Sequence, residues 1–263
     1  MERLFVIKVG GNIIDDEEKL KSFLQSVASV KSHRIVVHGG GKIATTIGNK
    51  LNIESKYING RRITDNATID LVTMVYGGLI NKKIVAKLQS FNCNAIGLTG
   101  ADANIIPAKK RIVKDIDFGW VGDIDISTFN VESLKLLLRN NITPVFAPLT
   151  HDEQGNILNT NADTIASSIA IALATYYDVR LIYCFEKKGV LENVEDGNSV
   201  ITNINKEKYK QLQAEQKLFA GILPKIDNAF AAIDAGVHEV LIGDANDLIQ
   251  NTTDKTIGTL ITK

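Results

Sequence analysis

Two glycine-rich motifs follow short apolar runs and are typical of loops that bind phosphate groups. Residues 8–12 read Lys-Val-Gly-Gly-Asn, and residues 38–42 read His-Gly-Gly-Gly-Lys. Adjacent glycines let a backbone approach a ligand closely, and the N–H groups at a following helix start bind anions. A Gly-Gly pair alone is often only a tight turn. Three consecutive glycines, however, cost roughly 1 kcal/mol each in chain entropy relative to alanine, which favours a functional loop.

The second motif differs from the two most familiar nucleotide-binding sequences. Lys42 is followed by Ile43, whereas a Walker A loop needs Ser or Thr after its lysine. The spacing of the three glycines also departs from the dinucleotide-binding fingerprint. The sequence therefore argues against a P-loop NTPase and against a nicotinamide-dependent dehydrogenase.

Two later motifs add polar and basic residues at predicted helix starts. Residues 159–163 read Asn-Thr-Asn-Ala-Asp, and residues 221–225 read Gly-Ile-Leu-Pro-Lys. Helix capping explains either Asn161 or Asp163, but two asparagines and an aspartate in alternation exceed what a cap needs. Lys225 lies against the helix dipole, which favours an anionic partner. The alternative for Lys225 is an exposed lysine pointing to water.

The chain that must position these motifs alternates short apolar runs with amphipathic helical segments. Apolar runs without polar alternation are typical of parallel strands buried on both faces. They predict a three-layer αβα sandwich around a central, mainly parallel sheet. The predicted strands are residues 4–9, 34–38, 93–98, 142–147, 179–184 and 237–242, and the predicted helices include residues 16–30, 68–91, 132–140 and 163–176.

Three segments interrupt this alternation and predict β-hairpins. They are residues 56–64, 105–123 and 151–158. Because ligands of parallel α/β sheets sit beyond the carboxyl ends of the strands, hairpins inserted there are expected to form a substrate lid. One domain is expected over residues 1–263, with an N-terminal lobe over about 1–175 and a C-terminal lobe over about 176–263.

Bulk composition excludes several classes of protein. Thirty basic and thirty acidic residues cancel, so the chain lacks the field that a nucleic-acid backbone requires. The two cysteines and four histidines have no metal-ligand spacing. The N-terminal apolar run is too short for a signal peptide, and no run reaches the length of a membrane span. We expect a cytoplasmic protein that binds neither nucleic acid nor membrane.

Together these motifs resemble the amino-acid kinase family along the whole chain. The resemblance includes Gly-Arg-Arg-Ile-Thr at residues 60–64 and the closing Gly-Thr at 258–259. Within that family, the pairing of Gly-x-Arg-x-Thr with Asn-x-Asn-Ala-Asp is typical of members that phosphorylate N-acetyl-L-glutamate. The resemblance implies transfer of the γ-phosphoryl group of ATP to the γ-carboxylate, in arginine biosynthesis. Mg²⁺ would accompany ATP, bound mainly by phosphate oxygens and water.

The resemblance also implies a role for each motif residue. Lys8 would bind the transferring phosphoryl group, Lys225 the leaving side, and Asp163 would orient both lysines. Arg62 would bind the α-carboxylate of the substrate, and Asn159 its acylated amino end. Further substrate contacts would come from Gly40, Gly41 and Asn161, and phosphate or nucleotide contacts from Gly10, Gly11, Glu186, Gly189, Val190, Leu191 and Gly221.

The nucleotide segment departs from the family pattern. Relatives usually have Thr/Ser-Asp-Val-x-Gly-Val-Leu, where residues 185–191 read Phe-Glu-Lys-Lys-Gly-Val-Leu. Glu186 keeps the acidic charge on a longer arm, and Lys187 and Lys188 add two cations.

Other features leave alternatives about substrate and assembly. Arg61 replaces the usual Leu or Met before Arg62, which suits an N-succinyl group with a second carboxylate unless Arg61 points outward. Family members that arginine inhibits generally carry an extra N-terminal helix ahead of the first strand and assemble as hexamers through it. No such helix is expected ahead of the first predicted strand here, so the resemblance implies an arginine-insensitive homodimer. Glutamate 5-kinase, aspartokinase and carbamate kinase activities are enzyme alternatives. An inactive amino-acid sensor on the same scaffold is a further one.

Overall fold

A computed structural model describes residues 1–58, 60–113, 115–193, 195–215, 217–218 and 222–263. The chain divides into two compact units. The first unit contains Met1–Ile35 and Ala166–Lys263, and the second contains Val36–Ile165.

The longer β-strands agree with the predicted apolar runs to within one or two residues at each end. The strands are β1 (Arg3–Val9), β2 (His33–His38), β3 (Tyr57–Ile58), β4 (Arg61–Arg62), β5 (Ala95–Leu98), β6 (Ala108–Lys110), β7 (Gly122–Ile124), β8 (Thr143–Phe146), β9 (Leu149–His151), β10 (Ile157–Asn159), β11 (Asp178–Phe185), β12 (Asn203–Ile204), β13 (Glu239–Asp244) and β14 (Thr259–Ile261).

The α-helices also follow the predicted segments. They are α1 (Asn12–Asp15), α2 (Glu17–Ser29), α3 (Gly41–Lys50), α4 (Asn66–Val72), α5 (Asn81–Ser90), α6 (Val131–Arg139), α7 (Ala162–Leu173), α8 (Lys206–Ala214), α9 (Leu223–Asp234) and α10 (Leu248–Asn251). No helix in the described ranges is long and apolar enough to cross a membrane.

In the first unit the strand order is β12-β14-β13-β11-β1, and every neighbouring pair is parallel except β13 with β14. Residues 179–184 of β11 are all buried. That burial explains why this strand shows no polar alternation.

In the second unit β2, β8 and β5 pair in parallel in that order, and three antiparallel hairpins accompany them. The hairpins are β3–β4, β6–β7 and β9–β10. The predicted α/β fold with mainly parallel strands and small hairpins is confirmed.

One predicted helix has a different internal geometry. The segment predicted at residues 68–91 begins at Asn66, and Thr73–Ile80 forms a π-helix between α4 and α5. A π-helix is rare and is often found at functional sites. Its hydrogen bonds span one residue more than those of an α-helix, and hydrophobic spacing does not reveal this difference.

A buried ionic network lies in the first unit. Arg180 and Glu239 are both buried, and the Arg180 Nε donates to Glu239 at 2.8 Å. The Nη1 of Arg3 donates to the same carboxylate at 2.7 Å. Arg180 Nη1 donates to the carbonyl of Asn251 at 2.8 Å, so this buried cation is both paired and hydrogen-bonded.

Candidate active site

The first unit brings the two predicted catalytic lysines to one aromatic ring. Lys8 lies in β1, opposite Tyr183 of β11, and Lys225 is the third residue of α9. The Nζ of Lys225 lies 3.5 Å from the centroid of the Phe185 ring, and the Nζ of Lys8 lies 5.8 Å from it. Both distances are within the range of cation–π attraction.

The glycine loop after β1 fits closely around Lys8. A Cβ atom at Gly10 would lie 2.9 Å from the Nζ of Lys8, so the ammonium group is folded back over this glycine. The next residue, Gly11, has a φ of 55° and precedes α1. Both features explain the Gly-Gly pair, because any side chain at residue 10 would displace the ammonium group.

Glu186 connects this loop to the end of β11. Its carboxylate accepts a hydrogen bond from Asn12 Nδ2 at 2.6 Å and another from Lys19 Nζ at 3.3 Å. The longer arm of glutamate therefore reaches the glycine loop and α2.

The remaining nucleotide-segment residues differ in exposure. Gly189, Val190 and Leu191 are buried, and the N–H of Val190 donates to Thr259 Oγ1 at 2.8 Å. Lys187 and Lys188 are exposed. Gly221, which is predicted to contact the phosphates, lies outside the described residues.

In the second unit, a buried arginine of β4 donates hydrogen bonds to the start of α3. Arg62 is only 6% exposed, and its Nη2 donates to the carbonyl of Gly41 at 2.8 Å and to Thr45 Oγ1 at 3.0 Å. Its Nη1 donates to Ser55 Oγ. Within the ranges that the structure describes, no carboxylate pairs with Arg62. A buried cation without a counter-ion is unfavourable, so this site favours an anionic ligand.

Thr64 links Arg62 to Asn159. The buried Thr64 hydroxyl donates to the carbonyl of Arg62 at 3.3 Å and accepts from Asn159 Nδ2 at 3.0 Å. Because Nδ2 is used in this way, the orientation of the Asn159 amide is fixed. The amide oxygen is then the atom that can accept a hydrogen bond from a ligand.

Asn161 and Asp163 have separate positions at the start of α7. The Oδ1 of Asn161 accepts hydrogen bonds from the N–H groups of Asp163 at 2.8 Å and Thr164 at 3.1 Å. Asn161 is thus the helix cap. Asp163 lies in the first turn, where its carboxylate is favoured by the helix dipole.

The triple-glycine loop contacts His38, and His38 is in turn held by Asn81 at the start of α5. His38 Nδ1 is 2.7 Å from the carbonyl of Gly39, and its Nε2 is 3.2 Å from Asn81 Nδ2. Asn81 also donates to the carbonyl of Val145, so Nε2 is the acceptor and Nδ1 carries the proton. Burial lowers the pKa of His38 to about 4, although the bond to Gly39 opposes the shift.

Arg61 occupies a different surface from Arg62. Adjacent strand residues alternate in direction, and Arg61 is exposed whereas Arg62 is buried. Arg61 lines a cavity of about 530 Å³ with Arg111, Phe118 and Asp123. The Nε of Arg111 donates to Asp123 at 3.0 Å in the same cavity.

Sequence reasoning alone does not assign several residues of these two sites. Phe185 stands out only as a departure from the family pattern, Thr64 only as part of a motif, and His38 only as the start of the glycine motif. In the sequence, His38 stands between a buried strand and three glycines. That position indicates that His38 supports the glycine loop. In the described parts of the chain, no group of three His, Cys, Asp or Glu side chains is arranged to hold a metal ion.

Comparison with known sequences agrees with the fold. The Amino acid kinase family matches residues 3–244. The chain is 55% identical to an acetylglutamate kinase of Cytophaga hutchinsonii over 261 residues, covering 98% of each protein. It is 53% identical to an acetylglutamate kinase of Phocaeicola vulgatus, covering 92% of this chain and 93% of that protein.

Solved structures with low sequence identity share the fold. An N-acetylglutamate synthase of Neisseria gonorrhoeae, complexed with coenzyme A and N-acetyl-glutamate, has a TM-score of 0.82 at 19% identity. The match covers all of this chain and 59% of that one. A carbamate kinase of Giardia lamblia has a TM-score of 0.70 at 14% identity, covering 100% of this chain and 98% of that one.

The fold and its glycine loops define an α/β protein with the architecture of these enzymes. The chain belongs to the amino acid kinase family.

Proposed function

We propose that this protein phosphorylates the γ-carboxylate of N-acetyl-L-glutamate with ATP, giving the acyl phosphate in arginine biosynthesis. The acetylglutamate kinase activity of relatives that are up to 55% identical over nearly the whole chain supports this function. The structural observation that carries it is the buried Arg62, which has no carboxylate partner among the described residues. A substrate carboxylate would supply the missing charge.

The second unit would bind the acylglutamate. The planar guanidinium of Arg62 can bind the α-carboxylate through two parallel hydrogen bonds, which a lysine cannot do. Asn159 would accept the N–H of the acylated amino group through its amide oxygen. Gly40 and Gly41 would donate backbone N–H groups to the substrate. Asn161 would support the substrate site by capping the start of α7.

The reaction needs positive charge more than it needs a base. The γ-carboxylate has a pKa of about 4.3, so it is already ionised at neutral pH. An anion must attack a negatively charged phosphoryl group, and catalysis rests on positioning and electrostatic stabilisation. Lys8 and Lys225 would supply the charge, and Gly10 and Gly11 would supply backbone donors. Asp163 would orient the two ammonium groups.

The first unit would bind ATP beside residues 186–191 and Gly221. Glu186 supports this through its bonds to Asn12 and Lys19, which fix the glycine loop. The side chains of Val190 and Leu191 are buried, so we assign them a packing role under the nucleotide. Mg²⁺ would enter with ATP and neutralise phosphate charge, and no protein ligand is assigned to it.

We also propose a homodimer formed by the second unit. In the described part of the chain, β5 pairs only with β8 and so has an unpaired edge. Met74 and Leu79 on the π-helix and Ile96 on β5 are exposed apolar side chains. Sedimentation equilibrium tests the dimer. Insensitivity to arginine and a cytoplasmic location stay predictions, the first tested by adding L-arginine to the assay.

The alternative functions differ in the molecule that accepts the phosphoryl group. The N-succinyl alternative depends on Arg61, which lines a cavity with Arg111 and Asp123 on the other face of β4. That position favours the acetyl group. Other amino-acid kinases would accept an unacylated amino acid or carbamate. A sensor would bind an amino acid without releasing ADP.

The experiment is an ADP-release assay with N-acetyl-L-glutamate, N-succinyl-L-glutamate, L-glutamate, L-aspartate and carbamate as acceptors. We expect ADP release with N-acetyl-L-glutamate, and trapping of the acyl phosphate by hydroxylamine. Preference for an unacylated acceptor, or no turnover with any acceptor, would contradict the proposal.

Two variants test the assigned catalytic charge. Lys8→Ala and Lys225→Ala should each lower kcat by about 100-fold or more, because each removes charge stabilisation of the transition state. The KM for N-acetyl-L-glutamate should change much less. A variant with near-normal kcat would remove that lysine from the catalytic role.

A further inference from the structure

The Phe185 ring contacts both lysine ammonium groups in the first unit. The Nζ of Lys225 is 3.5 Å from its ring centroid, and the Nζ of Lys8 is 5.8 Å from it. The two ammonium groups are therefore no farther apart than these distances combined. Two like charges repel at such a separation, so an attractive group beside both of them matters to their placement.

The fold explains how one ring serves both lysines. Lys8 is registered opposite Tyr183 in parallel strands, and Phe185 lies two residues farther along β11 on the same face. The Tyr183 and Phe185 rings stack with centroids 6.5 Å apart, which supports the orientation of Phe185. Lys225 lies in the first turn of α9, where the helix dipole disfavours a cation, and its side chain reaches the same ring.

We propose that Phe185 is a positioning residue for phosphoryl transfer, whose ring face holds the ammonium groups of Lys225 and Lys8 before the nucleotide binds. This proposal rests on the proposed function, because it assumes that both lysines act on the phosphates of ATP. The ring is not a catalytic group, since it acts through the lysines.

At residue 185, an aromatic ring suits this role better than an acidic side chain in addition to Asp163 would. The ring face attracts an ammonium group through its quadrupole but carries no net charge. A carboxylate at residue 185 would neutralise the lysines and compete with the phosphates of ATP. The ring thus orders the two cations while leaving their positive charge available to the nucleotide.

Two substitutions distinguish an effect of the aromatic ring face from an effect of side-chain size at residue 185. Phe185→Leu keeps an apolar side chain but removes the π face, whereas Phe185→Tyr keeps the ring. We expect kcat/KM for ATP to fall about tenfold in Phe185→Leu and to remain within about twofold of the parent in Phe185→Tyr, given the usual strength of cation–π contacts. The KM for N-acetyl-L-glutamate should be unchanged in both variants.

A spectroscopic readout tests the contact without using activity. In protein labelled with ¹³C at lysine Cε, the Hε signal of Lys225 should be shifted upfield by the ring current. It can be assigned by its absence in Lys225→Met. The shift should be lost in Phe185→Leu, kept in Phe185→Tyr, and reduced when Mg²⁺ and the ATP analogue AMP-PNP are added.

Three results would overturn the proposal: no upfield lysine signal in the parent, parent-like kcat/KM for ATP in Phe185→Leu, or equal impairment of Phe185→Leu and Phe185→Tyr. Failure of the proposed function is a separate outcome. It would appear as no acylglutamate-dependent ADP release by the parent, and the lysine spectrum would still report on the contact. Thermal unfolding of both variants controls for general loss of structure.

Discussion

At the scale of single residues, the two units present different electrostatic problems. The first unit gathers two cations at one ring, and the second buries a cation that no described carboxylate neutralises. Charge repulsion makes the first arrangement costly, and desolvation makes the second one costly. An anionic ligand bound at each unit would lower the cost there, so the unfavourable electrostatics at these residues are consistent with function.

Arg62 gives the sharpest prediction at this scale. Arg62→Lys should raise the KM for N-acetyl-L-glutamate by about 10- to 100-fold, because a lysine cannot make the two parallel bonds that contribute about 1.5–3 kcal/mol. The kcat should change little, since the lost contact is made equally in ground and transition states. Steady-state kinetics measures both parameters.

Arg61→Lys is the matched control. It makes the same change at the neighbouring residue, whose side chain lines the cavity with Arg111 and Asp123 on the opposite face of β4. It should leave the KM within about twofold of the parent and leave the preference for N-acetyl- over N-succinyl-L-glutamate unaltered. If Arg61→Lys had the larger effect, the assignment of the two arginines would be reversed.

At the scale of elements, the triple-glycine loop depends on the π-helix beside it. Gly40 has a φ of 152°, and a Cβ atom there would overlap Ile80 Cδ1 and lie 3.2 Å from the Tyr76 ring. The π-helix brings these two side chains against the loop. The loop needs glycine at residue 40 for its backbone conformation and for this close approach.

Gly40→Ala should therefore displace the loop from its position at the start of α3. We expect kcat/KM for N-acetyl-L-glutamate to fall by about tenfold or more, and the free energy of unfolding to fall by about 1–3 kcal/mol from backbone strain. Kinetics and urea unfolding measure the two effects. Gly197→Ala is the control, because Gly197 has no atom within 4 Å of the added Cβ and should behave like the parent.

The sequence predicts these elements better than it predicts their contacts. Apolar runs reveal the strands because burial on both faces removes polar residues. The π-helix is not predicted, since its longer hydrogen-bond span leaves the hydrophobic pattern of residues 68–91 almost unchanged. Short strands such as β12 and β14 are not predicted either, because two or three residues carry no periodicity.

The same limit applies to the candidate site. Lysine, glycine and arginine motifs reveal residues whose chemistry is local in sequence. Phe185 beside Lys225, and Thr64 beside Asn159, are contacts between distant segments, and spacing carries no information about them. These contacts depend on the packing of α9 against the end of β11 and on the path of the β3–β4 hairpin.

At the scale of the whole molecule, two buried ionisable groups predict how stability depends on pH. His38 is buried with its pKa lowered from 6.5 to about 4, because desolvation disfavours the charged ring. Burial alone would raise the pKa of Glu239, but the hydrogen bonds and charges of Arg180 and Arg3 outweigh it and hold the pKa below its ordinary value. The two groups therefore titrate in different windows.

The signs follow from which state binds more protons. Between pH 6.5 and about 4 the unfolded chain protonates His38 while the folded protein does not, so stability falls as pH is lowered, by about 3 kcal/mol from this residue. Glu239 stays ionised in the folded protein below the pH at which it protonates in the unfolded chain. Its contribution is lost only below about pH 4.5, as pH falls through its folded pKa.

His38→Gln isolates the first window, because glutamine does not titrate. Urea unfolding of the parent at pH 7.0, 6.0, 5.0 and 4.5 should show a steady decline in the free energy of unfolding, and the variant should decline less over the same range, whatever its stability at pH 7.0. Below about pH 4 both proteins should lose stability with similar slopes, since Glu239 and its arginine partners are intact in both. Parallel curves for parent and variant between pH 6.5 and 4.5 would mean that His38 is protonated in the folded protein. In that case Nε2 could not accept the hydrogen bond from Asn81, and the loop before α3 would be held in another way.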